Sequence, residues 1–130
     1  MDEIKGELQG LYLHKDWTEI FLGGDVSEPK IKPAEGVKAA LVHPSKILVL
    51  NFSKTTAIHP QGLLWIEQLV AYADTRGVRV RAYVPKNKRI GRLLKLMHYD
   101  RFLLISNVLE ELLDPSFIYK MAFPDDKIIK

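Results

Sequence analysis

Four histidines, His14, His43, His59 and His98, are the side chains best suited to proton or metal chemistry, and they stand singly along the chain. No His-x-x-x-His pair and no carboxylate–histidine spacing joins them, so no metal site is expected. His43-Pro44 and His59-Pro60 read as turn residues. There is no cysteine. That removes thiol catalysis, zinc–thiolate sites, iron–sulfur clusters and disulfides together. Neither a Gly-x-Ser-x-Gly elbow nor a phosphate loop occurs. Gly23-Gly24 lacks the remainder of a dinucleotide fingerprint and reads as a turn. No catalytic constellation forms, and neither an enzyme nor a bound cofactor is expected.

What remains is binding. Residues 76–101 hold nine Lys/Arg and one acid, whereas residues 1–75 hold seven Lys/Arg and ten acids. Arg79, Arg81, Lys86, Lys88, Arg89 and Arg92, with Lys95, make one basic patch inside an otherwise acidic chain. It is either a solvated face or a seat for an anionic partner: an acidic protein surface, a nucleotide or lipid phosphates. No aromatic interleaving supports stacking on single-stranded nucleic acid, and no specific nucleic-acid binding is expected. A second group, Gln61, Trp65, Gln68 and Tyr72, recurs at helical spacing on the flank opposite an apolar stripe. Trp and Tyr there are favoured interface residues, or else they cover the edge of the core.

The elements that must position these groups follow from hydropathy. The chain has 130 residues with 47% apolar and 27% charged side chains, enough for one folded domain. No apolar run reaches the roughly 18 residues of a membrane span, the acidic N-terminus is no signal peptide, and a cytoplasmic protein is expected. Leu8–Leu13 and Trp17–Leu22 predict an antiparallel hairpin within residues 1–26. Pro33 opens a helix carrying Val37, Ala40 and Leu41. The run 46–52 suits a buried strand, and Ser53–Gln61 reads as a polar loop. From Gly62 the helical period returns through Ile66, Leu69, Val70 and Ala73, stopping at Arg76-Gly77. Val78–Val84 alternates as a strand, with Arg79, Arg81 and Tyr83 on a face that is wet or under amphipathic cover. Ile90, Leu93, Leu94 and Met97 mark another helix. Arg101–Ile105 reads as a short strand. Asn107 with Glu110 resembles a capping box for a helix carrying Val108, Leu109, Leu112 and Leu113. The apolar tail to Lys130 is expected to pack back or to pair with a second chain. Alternation of this kind implies an α/β domain with mainly parallel pairing.

Certain stretches go further. Ile47–Phe52 is a hydrophobic strand followed, after a polar turn, by Gly62-Leu63. Arg92-Leu93-Leu94-Lys95-Leu96 lies in a helix, and Asp100-Arg101-Phe102 turns into the last strand. In this order and spacing, residues 46–113 resemble a STAS domain, the fold of bacterial anti-sigma factor antagonists. The resemblance implies one STAS-like domain over residues 1–130: a mixed, mainly parallel sheet, an N-terminal hairpin and about four helices, with 114–130 as an extension.

The resemblance also implies a non-enzymatic regulatory module. Its partner would be a kinase-like anti-sigma factor or a scaffold, met by Thr56, His59, Gln61, Trp65, Gln68 and Tyr72. A homodimer through the C-terminal extension is the further possibility. One departure matters. The family's loop carries Asp-Ser-Ser-Gly, and its second Ser is phosphorylated by the partner. Here the stretch is His59-Pro60-Gln61-Gly62. Gln61 cannot accept phosphate, and its neutral amide does not imitate the roughly −1.5 to −2 charge of phosphoserine. Ser53, Thr55 and Thr56 remain nearby as loop-capping or regulatory hydroxyls. An alternative is an accessory domain that binds an anionic ligand, a lipid headgroup or a transporter partner through the basic segment 79–95.

Overall fold

The computed structural model describes residues 9–86 and 88–114. Strand β1 (Gln9–Leu13) and strand β2 (Thr18–Leu22) form the expected antiparallel hairpin, with Leu11 opposite Ile20. The chain then makes three parallel additions: β4 (Ile47–Asn51) beside β2, β6 (Arg79–Tyr83) beside β4, and β7 (Leu104–Ser106) beside β6. The sheet order is therefore β1-β2-β4-β6-β7. Among the described residues four helices intervene or follow: α1 (Pro33–Ala40), α2 (Pro60–Thr75), α3 (Lys88–Leu96) and α4 (Leu109–Leu112). The mixed, mainly parallel α/β sheet read from the sequence is the one observed.

Strand β4 sits at the centre, and four of its five residues are buried. A strand covered on both faces needs such an unbroken apolar run. Leu48 and Leu50 face the larger core with Ile20, Leu22, Val80 and Ala82, beneath Val37, Ile66, Leu69 and Leu94 from the helices. Ile47 and Val49 face the other way and pack with Leu104 and Leu112.

Helix α1 begins with Pro33, whose missing N–H costs nothing in the first turn. Glu35 reaches back to accept a hydrogen bond from the Lys32 amide at 2.9 Å. Leu41, expected on the buried stripe, is instead the half-exposed C-cap. Helix α2 ends as expected: Gly77 adopts φ +74°, and the Val78 amide returns to the Ala73 carbonyl at 3.0 Å.

Several local expectations are corrected. Residues 53–61 are not simply a loop. Thr55–Ile58 is strand β5, paired in parallel with β3 (Gly24–Val26) in a separate two-stranded sheet. Both strands are too short to show a hydropathy period. The strand expected at 101–105 starts three residues later, because Tyr99–Arg101 forms a 3-10 turn after His98 swings to φ 64°. That left-handed residue ends α3 early. Met97 is left 45% exposed, while Tyr99 takes the buried position. The Tyr99 hydroxyl donates to Glu67 on α2, and burial, with the Glu67 carboxylate, raises its pKa well above the usual phenol range. Asn107 is not the cap of α4. Val108 is the N-cap residue, and the Ser106 hydroxyl accepts from its amide at 3.0 Å and donates to Glu111 at 2.7 Å.

Gly62 fixes how α2 meets β3. A Cβ there would lie 2.5 Å from the Val26 carbonyl oxygen and 2.9 Å from that of Ser27. Both are backbone atoms and cannot rotate away. Gly62→Ala should therefore destabilise the protein by about 1–3 kcal/mol through overpacking. Urea unfolding checks this: the midpoint falls with an unchanged slope, and an unmoved midpoint refutes the contact.

Candidate binding surface

The carboxyl end of β4 leads through Phe52 into β5, and β5 leads into the first turn of α2. This connection carries Thr55, Thr56, His59 and Gln61. The two neighbouring threonines have different tasks. Thr55 is buried and its hydroxyl donates to the Leu22 carbonyl, tying β5 to the end of β2. Thr56 is exposed, and its hydroxyl donates to Asp25 Oδ1 at 2.6 Å. Asp25 Oδ2 also lies 3.9 Å from His59 Nε2, both side chains being well exposed. The His59 amide donates to the Val26 carbonyl at 2.8 Å, so the backbone is held while its side chain stays exposed beside Asp25. Arg89, from the start of α3, donates to the Thr56 carbonyl at 3.3 Å.

The helix contributes the next residues. Gln61, Leu64 and Gln68 share the exposed side of α2, at spacings that place them one above another. Leu64 is 53% exposed. The sequence analysis did not single it out. The buried set Gly62, Ile66, Leu69 and Ala73 leaves Leu64 on the opposite side, and that was the available signal.

Trp65 and Tyr72 do not join this surface as expected. Trp65 is 3% exposed, and its indole N–H donates to the Ile31 carbonyl at 2.8 Å. The segment leading to α1 closes over that flank of α2, so the ring serves as core. Tyr72 is half-buried near the far end of α2. Arg76 lies 4.7 Å from its ring centroid and donates to its hydroxyl at 2.8 Å.

The basic patch is likewise divided. Arg79 donates to the Ser45 carbonyl at 3.2 Å, at the opposite end of the strands from β5. Arg81 is not on the surface at all. It is fully buried under α4, where Nη1 donates to the Leu112 carbonyl. Its Nε and Nη2 meet no acceptor among the described residues. Burial, then the charge of Arg79, lowers its pKa from the usual guanidinium range to about 10, and Asp114 works against that shift. The amphipathic cover that the strand pattern allowed is the case realised here. Lys86, Lys88 and Arg92, with Lys95, line a cleft beside α3.

No catalytic geometry arises at the Thr56–Asp25–His59 group. The carboxylate sits between hydroxyl and imidazole, so the histidine has no direct hold on the threonine proton. Among the described residues no group of three or more His, Asp or Glu could hold a metal ion. Nor is any helix among them long and apolar enough to cross a membrane.

The hairpin, the parallel sheet and the helices at these positions define a mixed, mainly parallel α/β domain. Comparison with protein-family models gives no match, and comparison with curated proteins gives none either. Among solved structures, the anti-sigma factor antagonist SpoIIAA in its unphosphorylated form aligns at TM-score 0.57 and 13% identity. The alignment covers 79% of this chain and 91% of that one. The fold of an anti-sigma factor antagonist is thereby present.

Two variants test the burial just described. Trp65→Ala should cost about 3–5 kcal/mol of stability, as large-to-small core changes do; a loss below about 1 kcal/mol would place the ring outside the core. Arg81→Met should be neutral or stabilising by about 1–4 kcal/mol. The sign follows from the pKa. The folded value lies below the unfolded one, so charged Arg81 opposes folding at every pH below about 10. The opposition is relieved only as pH rises through that value. The variant's advantage should therefore be flat across neutral pH in denaturant titrations, and a clear loss of stability would show that the charge is compensated.

Proposed function

We propose that this chain is a non-enzymatic, cytoplasmic regulatory module that docks a protein partner through the surface made by Thr56, His59, Gln61, Leu64 and Gln68. The observation that carries the reading is Leu64, a large apolar side chain left half in water on an otherwise polar helix face. Apolar anchors ringed by polar groups are where interface energy concentrates. The fold, shared with an anti-sigma factor antagonist, supports a regulatory role. The partner we favour is a kinase-like anti-sigma factor, and a scaffold subunit would use the same surface. Gln61 stands exposed in the first turn of α2 without a hydroxyl. Binding would then not be released by phosphate at that position. The homodimer expected of the C-terminal extension concerns residues outside those described.

The test is affinity purification from the native organism with the full chain as bait, prey being identified by mass spectrometry. A kinase-like regulator should be recovered with wild type and lost with Leu64→Asp, whose exposed site should leave the melting temperature unchanged. Loss of such an anchor should weaken affinity about 30-fold or more. Equal recovery with Leu64→Asp and Gln61→Arg overturns the surface.

A further inference from the structure

Beyond the protein-docking surface, the molecule has a cleft of about 770 Å³ at the carboxyl ends of β6 and β7. Open α/β sheets bind ligands at that end of their strands. The Val84 amide donates to the Ser106 carbonyl at 3.0 Å and closes the floor. Helix α3 makes one wall.

Three features give the cleft its chemistry. Lys86, Lys88, Arg92 and Lys95 all line it, and among the described residues no carboxylate does. Lys88, Arg92 and Lys95 are spaced i, i+4, i+7 and so share one face of α3. Like charges so placed repel one another unless an anion lies between them. Among the described residues none of the four cations has an ion pair. The second feature is backbone conformation. Lys86 holds φ 57°, a left-handed state that a side-chain-bearing residue adopts at a cost and that clusters at ligand clamps. The third is apolar. Val84 and Ile105 line the same space, and Leu96, one turn beyond Arg92, is 70% exposed beside it. A purely ionic site has no use for that leucine.

We infer that this cleft binds a phosphate monoester carrying an apolar chain, the phosphate among Lys86, Lys88, Arg92 and Lys95 and the adjoining carbons on Leu96, Val84 and Ile105. A phosphate monoester carries roughly −1.5 to −2 at neutral pH, which matches several cations better than a carboxylate does. The guanidinium of Arg92 adds the planar fork that two phosphate oxygens accept. Such a group reaches the cleft either free in solution or as the headgroup of phosphatidic acid in a bilayer.

The full chain is titrated calorimetrically with hexyl phosphate and with inorganic phosphate. It is also floated with phosphatidylcholine vesicles with and without phosphatidic acid. Hexyl phosphate should bind more tightly than inorganic phosphate. The double variant Arg92→Ser, Lys95→Ser should weaken both by at least about tenfold with an unchanged circular dichroism spectrum. Leu96→Ser should erase the preference for the hexyl chain and spare inorganic phosphate. Binding of the soluble ester assigns a free ligand, and flotation only with phosphatidic acid assigns a bilayer source. Leu64→Asp should change none of these, which separates this site from the protein-docking surface. The inference is overturned if neither the ester nor the vesicles bind. It is equally overturned if the double variant binds as wild type does, or if phosphatidylglycerol vesicles bind as well as those with phosphatidic acid.

Discussion

The burial of β4 on both faces is the constraint on which the rest of the structure depends. Ile47 and Val49 look toward one core and Leu48 and Leu50 toward the other. No position in Ile47–Leu50 tolerates water, so both long edges of the strand must be paired and both faces covered. Parallel pairing with β2 and β6 meets the first need. Helices α1 and α2 on one side, with α4 on the other, meet the second. Parallel strands end together, so the segments leaving β4, β6 and β7 emerge at one end. The Phe52 amide donates to the Tyr83 carbonyl at 2.8 Å, binding two of those exits to each other. Thr56, His59, the start of α3 and Ser106 are neighbours for this reason.

The same burial explains which residues were legible in the sequence. The apolar run within 46–52, the helical period from Gly62 and the alternation of Val78–Val84 are strong local signals, and each element forms there. The glycine at position 62 has a physical cause: the Val26 and Ser27 carbonyls leave no room for a Cβ. What has no such signal was missed. Strands β3 and β5 are three and four residues long, and they are fixed by pairing with each other. The left-handed turn at His98 moved a strand by three residues without any sequence signal.

Trp65 and Arg81 fail for a different reason. Trp65 was expected on a docking surface or at the core edge, and Arg81 in a basic patch. Yet a helix or strand face is exposed only if no other segment of the chain covers it. The segment around Ile31 covers Trp65, and α4 covers Arg81. Neither covering is visible in a window of local sequence. Leu64 is the converse: it stays outside because the core already has its full stripe from α2.

Arg89 shows how two surfaces can share one end of a sheet and remain distinct. It belongs to the basic segment by sequence, yet its guanidinium turns away from the other cations to the Thr56 carbonyl. That hydrogen bond fastens the start of α3 to β5. On one side of the junction lie Asp25, Thr56, His59 and the exposed side of α2, mixed in charge and ending in the apolar Leu64. On the other lie Lys86, Lys88, Arg92 and Lys95 around an apolar floor. Salt separates the two by physics. Contacts made by exposed cations weaken as the screening length shrinks, whereas apolar burial of a side chain such as Leu64 against a partner would not depend on it. One segment that reads as a single patch of positive charge is thus divided by the fold into a strut, a buried cation and a cleft.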